Sequence, residues 1–360
     1  MSLKKIAELA GTSVSTVSRV LSHPEHSCNR PGLSEKIWEL ARAMDYRPNS
    51  SARNLRLGIS ESDSPFVVDI FLTRFDSMDQ DPFFRELFQH IQEELLRQGC
   101  LLGEVLSSVD IASLTGNTLQ AGAVPYRSST RVLSETQGNP LSLVTRKPGT
   151  GLIILGKCPP ELVPVLKKRY EYLSGIDRNP IDFQYDEVFC NGLAAAEKAV
   201  EYLISLGHRE IAYIGDCTYE SRYIGYYQAL LNHKIPLDYV NIHPSSQTQE
   251  EGYQIMTSIL ASPRKPTAVF CANDCTAIGV LKALKQNKKR GYLPSIISID
   301  NINDSQNTTP MLTTIDIPKR DMAHLALNLL LDRKKGAHRE NVRIELPCRL
   351  IERESCTYVP

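Results

Sequence analysis

Residues 4–21, KKIAELAGTSVSTVSRVL, restrict the fold more than any other segment, because their spacing fits two short helices joined by a sharp turn. Ser2 can cap the first helix, Gly11 can adopt the positive φ of the turn, and Ser13 can cap the second helix. One face of the first helix is predicted to carry the apolar side chains Ile6, Ala7, Leu9 and Ala10. The second helix is predicted to turn three apolar side chains toward the first: Val17, Val20 and Leu21. The segment therefore predicts a helix-turn-helix.

The opposite face of the second helix carries small side chains and one long cation: Val14, Ser15, Thr16, Ser18 and Arg19. Hydroxyl and guanidinium groups can hydrogen-bond to base edges and phosphates, and a methyl-bearing side chain can contact thymine. The alternative is a pair of solvent-exposed helices joined by a glycine turn. The turn, the caps, the apolar face and the outward-facing side chains all fit a DNA-binding helix-turn-helix. We therefore expect the second helix to lie in the major groove of DNA.

Charge is distributed unevenly along the 360 residues, a length that predicts about two to three domains. Lysine and arginine total 41, as do aspartate and glutamate, so the net charge is zero. Residues 1–57 hold nine basic and five acidic side chains, which gives +4 there and −4 on the remainder. A basic head on an acidic body directs phosphate binding to one end of the molecule.

The cysteine pattern argues against a disulfide or zinc framework. Nine cysteines are scattered without a CxxC pair, and no histidine cluster has metal-ligand spacing. We therefore expect a reduced cytosolic protein with no metal and no cofactor, and buried apolar roles for Cys271 and Cys275. The first residues lack the apolar core of a signal peptide, and no apolar run approaches the ~20 residues of a transmembrane helix.

A third helix is predicted from a cap at Ser34 to about Met44, with side chains that can pack on the first two: Ile37, Trp38, Leu40 and Ala41. Residues 46–49, YRPN, end it. Residues 49–57 contain a short helical stretch with two arginines. This stretch is either a linker or a hinge helix that orders on DNA and inserts an apolar side chain into the minor groove.

Apolar strands and amphipathic helices alternate beyond residue 66. Strands are predicted at 66–72, 101–106, 151–155, 172–176, 211–214, 268–271, 296–299, 342–345 and 349–351. Helices are predicted at 84–98, 161–170, 192–206, 223–231, 251–260, 274–286 and 319–331. Such alternation builds parallel sheets through right-handed crossovers. The predicted fold class is therefore α/β, with a small all-α helix-turn-helix headpiece and two doubly wound α/β lobes.

These patterns also give domain boundaries. The headpiece is expected at 1–57 with its hinge at about 49–57, followed by a linker at 58–66 and a core at 67–360. The first lobe is expected at about 67–189 and 316–345, and the second at about 190–315 and 346–360. Residues 107–150 are rich in Ser, Thr, Gly and Pro and do not fit the alternation, so we expect a long excursion from the first lobe.

Short motifs occur in order along nearly the whole chain: SVSTVSRVL at 13–21, YRPN at 46–49, YL and LGHR within 202–209, GY and AL within 225–230, AND at 272–274, PMLTT at 310–314 and RES at 353–355. In these motifs the chain resembles the LacI/GalR family of bacterial transcription regulators. The resemblance implies a DNA-binding headpiece, a hinge helix and a two-lobed core like that of periplasmic sugar-binding proteins. It also implies a small effector between the lobes and a homodimer.

The resemblance also implies which residues touch the ligands. The expected DNA contacts are Ser13, Val14, Ser15, Thr16, Arg19, Asn49, Ala52 and Leu55, with Leu55 as the wedge in the minor groove. The expected effector contacts are Arg222, Asn273 and Asp300, together with Phe83, Phe84 and Asp177 on the first-lobe side.

The chemistry of the expected effector residues suits a hydroxyl-rich ligand, although each has a structural alternative. Arg222 can hold vicinal hydroxyls or a carboxylate through parallel donors. Asp300 ends a predicted strand, where open α/β sheets place ligands. As alternatives, Arg222 pairs only with Glu220, Asp300 caps a loop, and Asp274 is the N-cap of its helix.

We therefore predict a cytoplasmic allosteric repressor that binds a pseudo-palindromic operator and is released by a small sugar. The alternatives are a corepressor-dependent regulator that binds purines, a regulator that needs a phosphoprotein, and a sugar-binding protein without a DNA role. An enzyme is disfavoured and no catalytic residue is expected, because GxGxxG, GxxxxGK[ST], GxSxG and HExxH are absent from the sequence.

Overall fold

A computed structural model describes residues 3–22, 32–43, 65–73, 81–107, 150–218, 220–287 and 291–359. The predicted hinge at 49–57, residues 58–64 of the predicted linker and residues 108–149 of the predicted excursion lie outside the described residues. The chain divides into two compact units. The first comprises Met1–Ser77, Phe88–Ser174 and Ala323–Glu340, and the second Met78–Leu87, Gly175–Met322 and Asn341–Pro360. The domain and lobe boundaries inferred from the sequence stay a prediction.

The helices in the described ranges are α1 Leu3–Ala10, α2 Val14–Ser22, α3 Leu33–Ala43, α4 Pro82–Gln98, α5 Val163–Arg169, α6 Gly192–Ser205, α7 Ser221–Asn232, α8 Gln249–Ala261, α9 Asp274–Gln286 and α10 Lys319–Lys334. The strands there are β1 Val67–Leu72, β2 Leu101–Ser107, β3 Gly151–Leu155, β4 Tyr172–Asp177, β5 Asp186–Cys190, β6 Ile211–Gly215, β7 Ile242–Pro244, β8 Ala268–Cys271, β9 Ser295–Asp300, β10 Thr313–Asp316, β11 Arg343–Leu346 and β12 Arg349–Ile351. Two short 3-10 turns, Tyr239–Asn241 and Asn303–Asn307, complete the described elements.

Helices α1 and α2 form the predicted helix-turn-helix. Gly11 has φ +67°, and the Oγ of Ser13 accepts a hydrogen bond from the backbone N–H of Thr16 at 3.1 Å. Both local predictions are therefore confirmed. A small apolar core joins α1, α2 and α3, and its buried members are Ile6, Ala7, Ala10, Val17, Val20, Ile37 and Ala41. Ser2 and the side chain of Leu21 lie outside the described part of the chain.

Two predictions in the headpiece are wrong in detail. Leu9 is 50% exposed, because its position lies about 110° around the helix from the centre of the face formed by its buried neighbours. The third helix begins at Leu33, one residue before the predicted cap at Ser34. Gly32 precedes it with φ +75°, and its carbonyl accepts the N–H of Lys36 at 3.2 Å. Ser34 is therefore inside the first turn and does not cap the helix.

Two six-stranded sheets form the α/β part, with strand orders β11-β5-β4-β3-β1-β2 and β12-β10-β9-β8-β6-β7. Described pairings are parallel, with Val68 opposite Gly151 and Thr313 opposite Ile297, except that β12 runs antiparallel to β10. The predicted α/β class is confirmed. The second sheet is covered by α8 and α9, which bury apolar side chains such as Met256, Val280 and Ile296.

The sequence patterns predicted most of these elements but missed β5, β7 and β10. Strand β5 begins with Asp186 and Glu187, which are completely buried and look unlike a core strand. Both carboxylates are satisfied after folding, since Asp186 accepts from the N–H of Val342 at 2.8 Å and Glu187 from that of Ile181 at 2.7 Å. These acidic side chains interrupt the apolar pattern of a buried strand, so hydropathy alone does not predict β5.

Within the described ranges, no helix is long and apolar enough to cross a membrane. The same residues contain no group of three or more His, Cys, Asp or Glu side chains that could hold a metal ion.

Candidate functional site

Polar side chains of the second unit gather where parallel strands end. Asp177 ends β4 and is followed by Arg178, while Asp300 ends β9. Asn273 follows the end of β8 at the start of α9. The carboxyl ends of strands are where open α/β sheets bind ligands. We call Asp81, Arg178, Arg222, Asn273 and Asp300, with the side chains that hold them, the polar cluster.

Arg178 lies at the centre of the polar cluster and is only 4% exposed. Its guanidinium donates from Nη1 to Oδ2 of Asp300 at 2.9 Å and from Nη2 to Oδ2 of Asp81 at 3.4 Å. The guanidinium carbon lies 4.7 Å from the ring centre of Phe83 and 5.3 Å from that of Phe84. Burial alone would lower the pKa of Arg178, but the carboxylates of Asp300 and Asp81 raise it above its ordinary value. The guanidinium therefore stays charged and fixed in place.

Asp300 combines backbone strain with an unused acceptor. It has φ +119°, a conformation that L side chains rarely adopt, and strain of this kind costs about 1–3 kcal/mol and concentrates at functional sites. Oδ2 binds Arg178, whereas the buried Oδ1 has no hydrogen-bond partner among the described residues. Burial raises the pKa of Asp300, and the positive charges of Arg178 and Arg222 offset only part of that effect. A ligand that donates to Oδ1 would satisfy this acceptor.

Lys319 holds the strained backbone around Asp300. Its Nζ donates to the carbonyl of Asp300 at 2.6 Å and to that of Asn301 at 3.1 Å. The same Nζ lies 3.4 Å from Oε2 of Glu86, whose Oε1 accepts the backbone N–H of Asn303 at 2.7 Å. These contacts fix the segment after β9 independently of a ligand.

Arg222, at the start of α7, is held by several acceptors and is only 1% exposed. It donates from Nε to Glu220 at 2.8 Å, from Nη1 to the carbonyl of Ala272 at 2.6 Å and from Nη2 to Oε1 of Gln247 at 2.8 Å. The ion pair with Glu220 is present, but Arg222 does not pair only with Glu220, because its guanidinium also binds Ala272 and Gln247. Each terminal nitrogen of a guanidinium carries two hydrogens, so this pairing leaves donors for a ligand.

Asn273, not Asp274, is the N-cap of α9. The Oδ1 of Asn273 accepts from the N–H of Thr276 at 2.9 Å and from its Oγ1 at 2.7 Å. Its Nδ2 donates to the carbonyl of Gln247 at 3.0 Å, a residue that also binds Arg222. The sequence-based assignment of the cap to Asp274 is therefore wrong by one residue.

Asp274 instead ties three segments together from a fully buried position. Its carboxylate accepts from Oγ of Ser298 at 2.5 Å, from Oγ1 of Thr314 at 2.6 Å and from the N–H of Ile302 at 2.8 Å. Burial raises the pKa of Asp274 to about 7, because desolvation outweighs these three hydrogen bonds and the nearby charge of Asp300 adds to it. The hydrogen bonds of Asp274 hold the end of β9 and the segment that follows it in place.

The residues expected on the first-lobe side lie in the second unit beside Arg178. Phe83 and Phe84 begin α4, are buried, and meet edge to face with ring centres 5.2 Å apart. The N–H of Phe83 donates to Oδ1 of Asp81 at 2.9 Å, and Oδ1 of Asp177 accepts the N–H of Arg178 at 2.7 Å. Asp177 therefore positions the backbone of Arg178.

The structure brings the predicted residues Asp300, Phe83 and Phe84 together around Arg178. It adds four residues that the sequence analysis did not name: Asp81, Arg178, Gln247 and Lys319. Arg178 carried a usable signal, since it directly follows a buried strand in an α/β fold. The other three could not be recognised, because their partners lie far away along the chain. Assignment of the named residues to effector contacts stays a prediction.

On the headpiece, the face of α2 expected to meet DNA is open. Ser13, Val14 and Ser15 are exposed and Thr16 is half-buried. The Oγ of Ser13 lies 2.8 Å from Oγ of Ser15 and 2.8 Å from Oγ1 of Thr16, so the three hydroxyls form one patch. The side chain of Arg19 and all of Asn49, Ala52 and Leu55 lie outside what the structure describes. The DNA contacts therefore stay a prediction.

Two family models match the chain. Residues 2–49 match bacterial regulatory proteins of the lacI family, and residues 200–356 match a periplasmic binding protein-like domain. The chain is also similar to curated HTH-type transcriptional repressors called PurR. The protein of Mannheimia succiniciproducens is 26% identical over 354 residues, covering 95% of each chain. That of Shigella sonnei is 28% identical over 364 residues, covering 98% of this chain and 96% of the relative.

Solved structures share the fold. A lac repressor dimer bound to operator and the anti-inducer ONPF superposes with a TM-score of 0.63 at 20% identity, covering 99% of this chain and 98% of that one. A LacI family regulator from Enterococcus faecium with bound ribose gives a TM-score of 0.64 at 24% identity, covering 81% of this chain and all of that one. At these identities the likeness shows the fold alone.

Proposed function

We propose that the chain is a member of the lacI family of bacterial regulatory proteins, and that it is a transcriptional repressor that a small sugar releases from its DNA operator. The curated relatives are named as HTH-type transcriptional repressors, and solved structures of the same fold hold ribose or an operator with the anti-inducer ONPF. The finer assignments proposed here are the DNA face, the effector site and the chemical class of the effector.

The DNA-binding role rests on the helix-turn-helix. The cap residue Ser13 and the α2 residues Val14 and Ser15 are exposed to solvent, while Val17 and Val20 are buried in the core with α1. This division leaves hydroxyls and a methyl-bearing side chain for base edges and phosphates. Since the lac repressor structure is a dimer on an operator, we propose that two copies of this chain bind a pseudo-palindromic site. We also propose a cytoplasmic location, because regulation of this kind takes place at the chromosome.

The effector role rests on one observation: the buried Oδ1 of Asp300, next to the guanidinium of Arg178, has no hydrogen-bond partner in the part of the chain that the structure describes. A sugar hydroxyl can donate to that oxygen and accept from a neighbouring guanidinium in the same geometry. Arg178 is fixed by Asp81 and the phenylalanine rings, and Arg222 by Glu220, so the donors are in place before the ligand arrives. These groups serve binding, and we propose no catalytic step.

A purine corepressor is the second candidate, because the curated relatives of similar length are PurR repressors. A purine N–H could donate to the same Oδ1 of Asp300. The two candidates differ in the sign of the response, because a sugar inducer weakens operator binding whereas a corepressor strengthens it.

The experiment begins with the operator. Full-length protein selects duplexes from a random pool, and we expect a pseudo-palindrome whose half-sites match a dimer. Arg19→Ala should weaken binding to the selected duplex, whereas the matched variant Lys36→Ala, a cation on α3, should not. A sequence-independent or unsymmetrical footprint would contradict the repressor assignment.

The effector is then sought by thermal shift against monosaccharides, disaccharides, sugar phosphates and purine bases. Binding stabilises the folded state by about 2.7 kcal/mol at a hundredfold excess over Kd, which a melting curve resolves. A hit from the sugars that also releases the selected duplex supports the proposal. A purine hit that tightens binding to the duplex establishes the corepressor alternative instead.

A further inference from the structure

The polar cluster contains more acidic than basic side chains. Its carboxylates belong to Asp81, Asp177, Glu220 and Asp300, and its guanidiniums to Arg178 and Arg222. Lys319 does not change this balance, because its Nζ lies 3.4 Å from the carboxylate of Glu86. The side chains of Arg178, Arg222 and Asp300 are at most 5% exposed, so water screens their charges poorly. The site therefore carries two negative charges in excess when its carboxylates are ionised.

One oxygen of Asp300 bears the part of this charge that the protein leaves unpaired. Oδ2 accepts from Nη1 of Arg178 at 2.9 Å, whereas the buried Oδ1 has no hydrogen-bond partner among the described residues. The nearby Nζ of Lys319 donates to the backbone carbonyls of Asp300 and Asn301 instead. A buried charge costs free energy unless it is paired, so a cationic donor satisfies Oδ1 better than a neutral donor does.

A second buried acceptor without a partner lies beside the cluster. Nδ2 of Asn179 donates to Oε1 of Glu220 at 3.5 Å. Because only the nitrogen of the amide can donate to a carboxylate, this contact fixes which end of the Asn179 side chain is the oxygen. That oxygen, Oδ1, is buried and has no hydrogen-bond partner in the part of the chain that the structure describes. Asn179 and Asp300 therefore each leave an acceptor, not a donor, for a ligand.

The cations of the site already contact acceptors of the protein. Arg178 binds two carboxylates, Arg222 donates to three acceptors, and Nζ of Lys319 contacts three oxygens. An anionic ligand would compete with these acceptors and add to the negative charge. The carboxylates do not form a metal site either, since the described ranges contain no group of three or more acidic, His or Cys side chains that could hold an ion. An organic cation is the ligand group that complements this site.

We propose that the effector is a sugar that carries a protonated amine, and that this amine donates to Oδ1 of Asp300. The unpaired carboxylate oxygen and the excess of negative charge carry this assignment. It rests on the proposed function, because it names the class of sugar that the same site binds. An ammonium group has three hydrogens, so it can bind Oδ1 of Asp300 and still donate to further acceptors.

The test compares matched sugars by calorimetric titration of the full-length protein at neutral pH and low salt. Glucosamine, galactosamine and mannosamine are each compared with the parent hexose, which lacks the amine, and with the N-acetyl derivative, which keeps the nitrogen but not its charge. We expect one amino sugar to bind at least about tenfold more tightly than both of its uncharged counterparts. The same amino sugar should release the selected duplex.

A pair of variants then assigns the preference to one carboxylate. Asp300→Asn removes the negative charge but keeps an oxygen acceptor, so it should lower the preference for the amino sugar over its parent to about threefold or less. Asp304→Asn is the matched control, because it removes an exposed carboxylate in the short turn after β9 and should leave the preference unchanged. Melting temperatures near that of the wild type show that both variants fold. The preference of the wild type needs no variant, so the test holds even if Asp300→Asn does not fold.

Several results would overturn this inference. They are a parent hexose or N-acetyl derivative that binds as tightly as the amino sugar, a sugar phosphate that binds more tightly than any amino sugar, and a panel in which no amino sugar binds. Retention of the full preference by folded Asp300→Asn would also overturn it. A neutral sugar that binds and releases the selected duplex would end this inference but leave the proposed repressor function intact. Failure to select a pseudo-palindromic duplex would instead contradict the repressor function and leave the calorimetric comparison unaffected.

Discussion

The headpiece and the polar cluster are stabilised in opposite ways. The headpiece core joins three short helices through apolar side chains such as Ile6, Val17 and Ile37. The polar cluster buries charges, with Arg178 and Asp300 in contact although 122 residues separate them. Local spacing is therefore enough to build the first region, whereas the second exists only after distant strands have paired. In this chain the proposed DNA-binding face is encoded locally, whereas the proposed effector site is encoded by topology.

The largest effect should come from breaking the buried ion pair. Arg178→Met leaves Asp300 and Asp81 without their cation, and removal of one partner of a buried pair costs about 3–5 kcal/mol. The matched control is Arg264→Met, because the side chain of Arg264 is 59% exposed while it pairs with Asp238 and Glu210. Its loss should cost about 0–1 kcal/mol. Urea unfolding followed by circular dichroism measures both, and equal losses would contradict the buried network.

The next effect is a dependence on pH. Asp274 has a pKa of about 7 in the folded protein against 3.8 ordinarily, so the folded state favours the protonated carboxyl. Its contribution to the free energy of unfolding is complete below pH 4 and is lost as pH rises to 7, by up to about 4 kcal/mol. Asp274→Asn should remove this loss, so the stability gap between wild type and variant should change across pH 4–7. A gap that stays constant with pH would show that Asp274 ionises freely.

A smaller effect tests the apolar region. Ile6→Ala removes a completely buried side chain from the headpiece and should cost about 2–4 kcal/mol. Leu9→Ala, on the same helix but 50% exposed, should change stability by no more than about 0.5 kcal/mol. Trp38 is the single tryptophan and lies within α3, so its fluorescence reports headpiece unfolding. If Leu9→Ala proves as costly as Ile6→Ala, the described face of α1 is wrong.

The smallest effect concerns the cap of α2. Ser13→Ala removes the acceptor of the Thr16 N–H and should cost about 1 kcal/mol, again read from Trp38 fluorescence. Ser13→Asn keeps a capping oxygen and should restore most of the stability. A variant with alanine that is as stable as the wild type would show that the cap contributes nothing.

These contrasts explain what could be predicted from the sequence. The turn at Gly11 and the cap at Ser13 depend on neighbours within four residues, so pattern and propensity are enough to find them. Strand β5 escaped because its buried acids are satisfied only by partners elsewhere in the chain, such as Val342. Lys319 escaped for the same reason, since its partner Glu86 lies in α4, which sequence spacing does not connect to α10. The effector residues named in advance came from family resemblance, and their role awaits experiment.

The most direct test of the account uses Asp300→Asn and calorimetric titration with the sugar that gives the largest thermal shift. Asparagine tolerates positive φ better than most residues, so the variant keeps the backbone at this position while it removes the carboxylate. The account predicts that the affinity for the sugar falls at least about tenfold, a loss of about 1.4 kcal/mol, while binding to the selected duplex stays near that of the wild type. Unchanged sugar affinity in a folded variant would contradict the effector site assigned to the polar cluster.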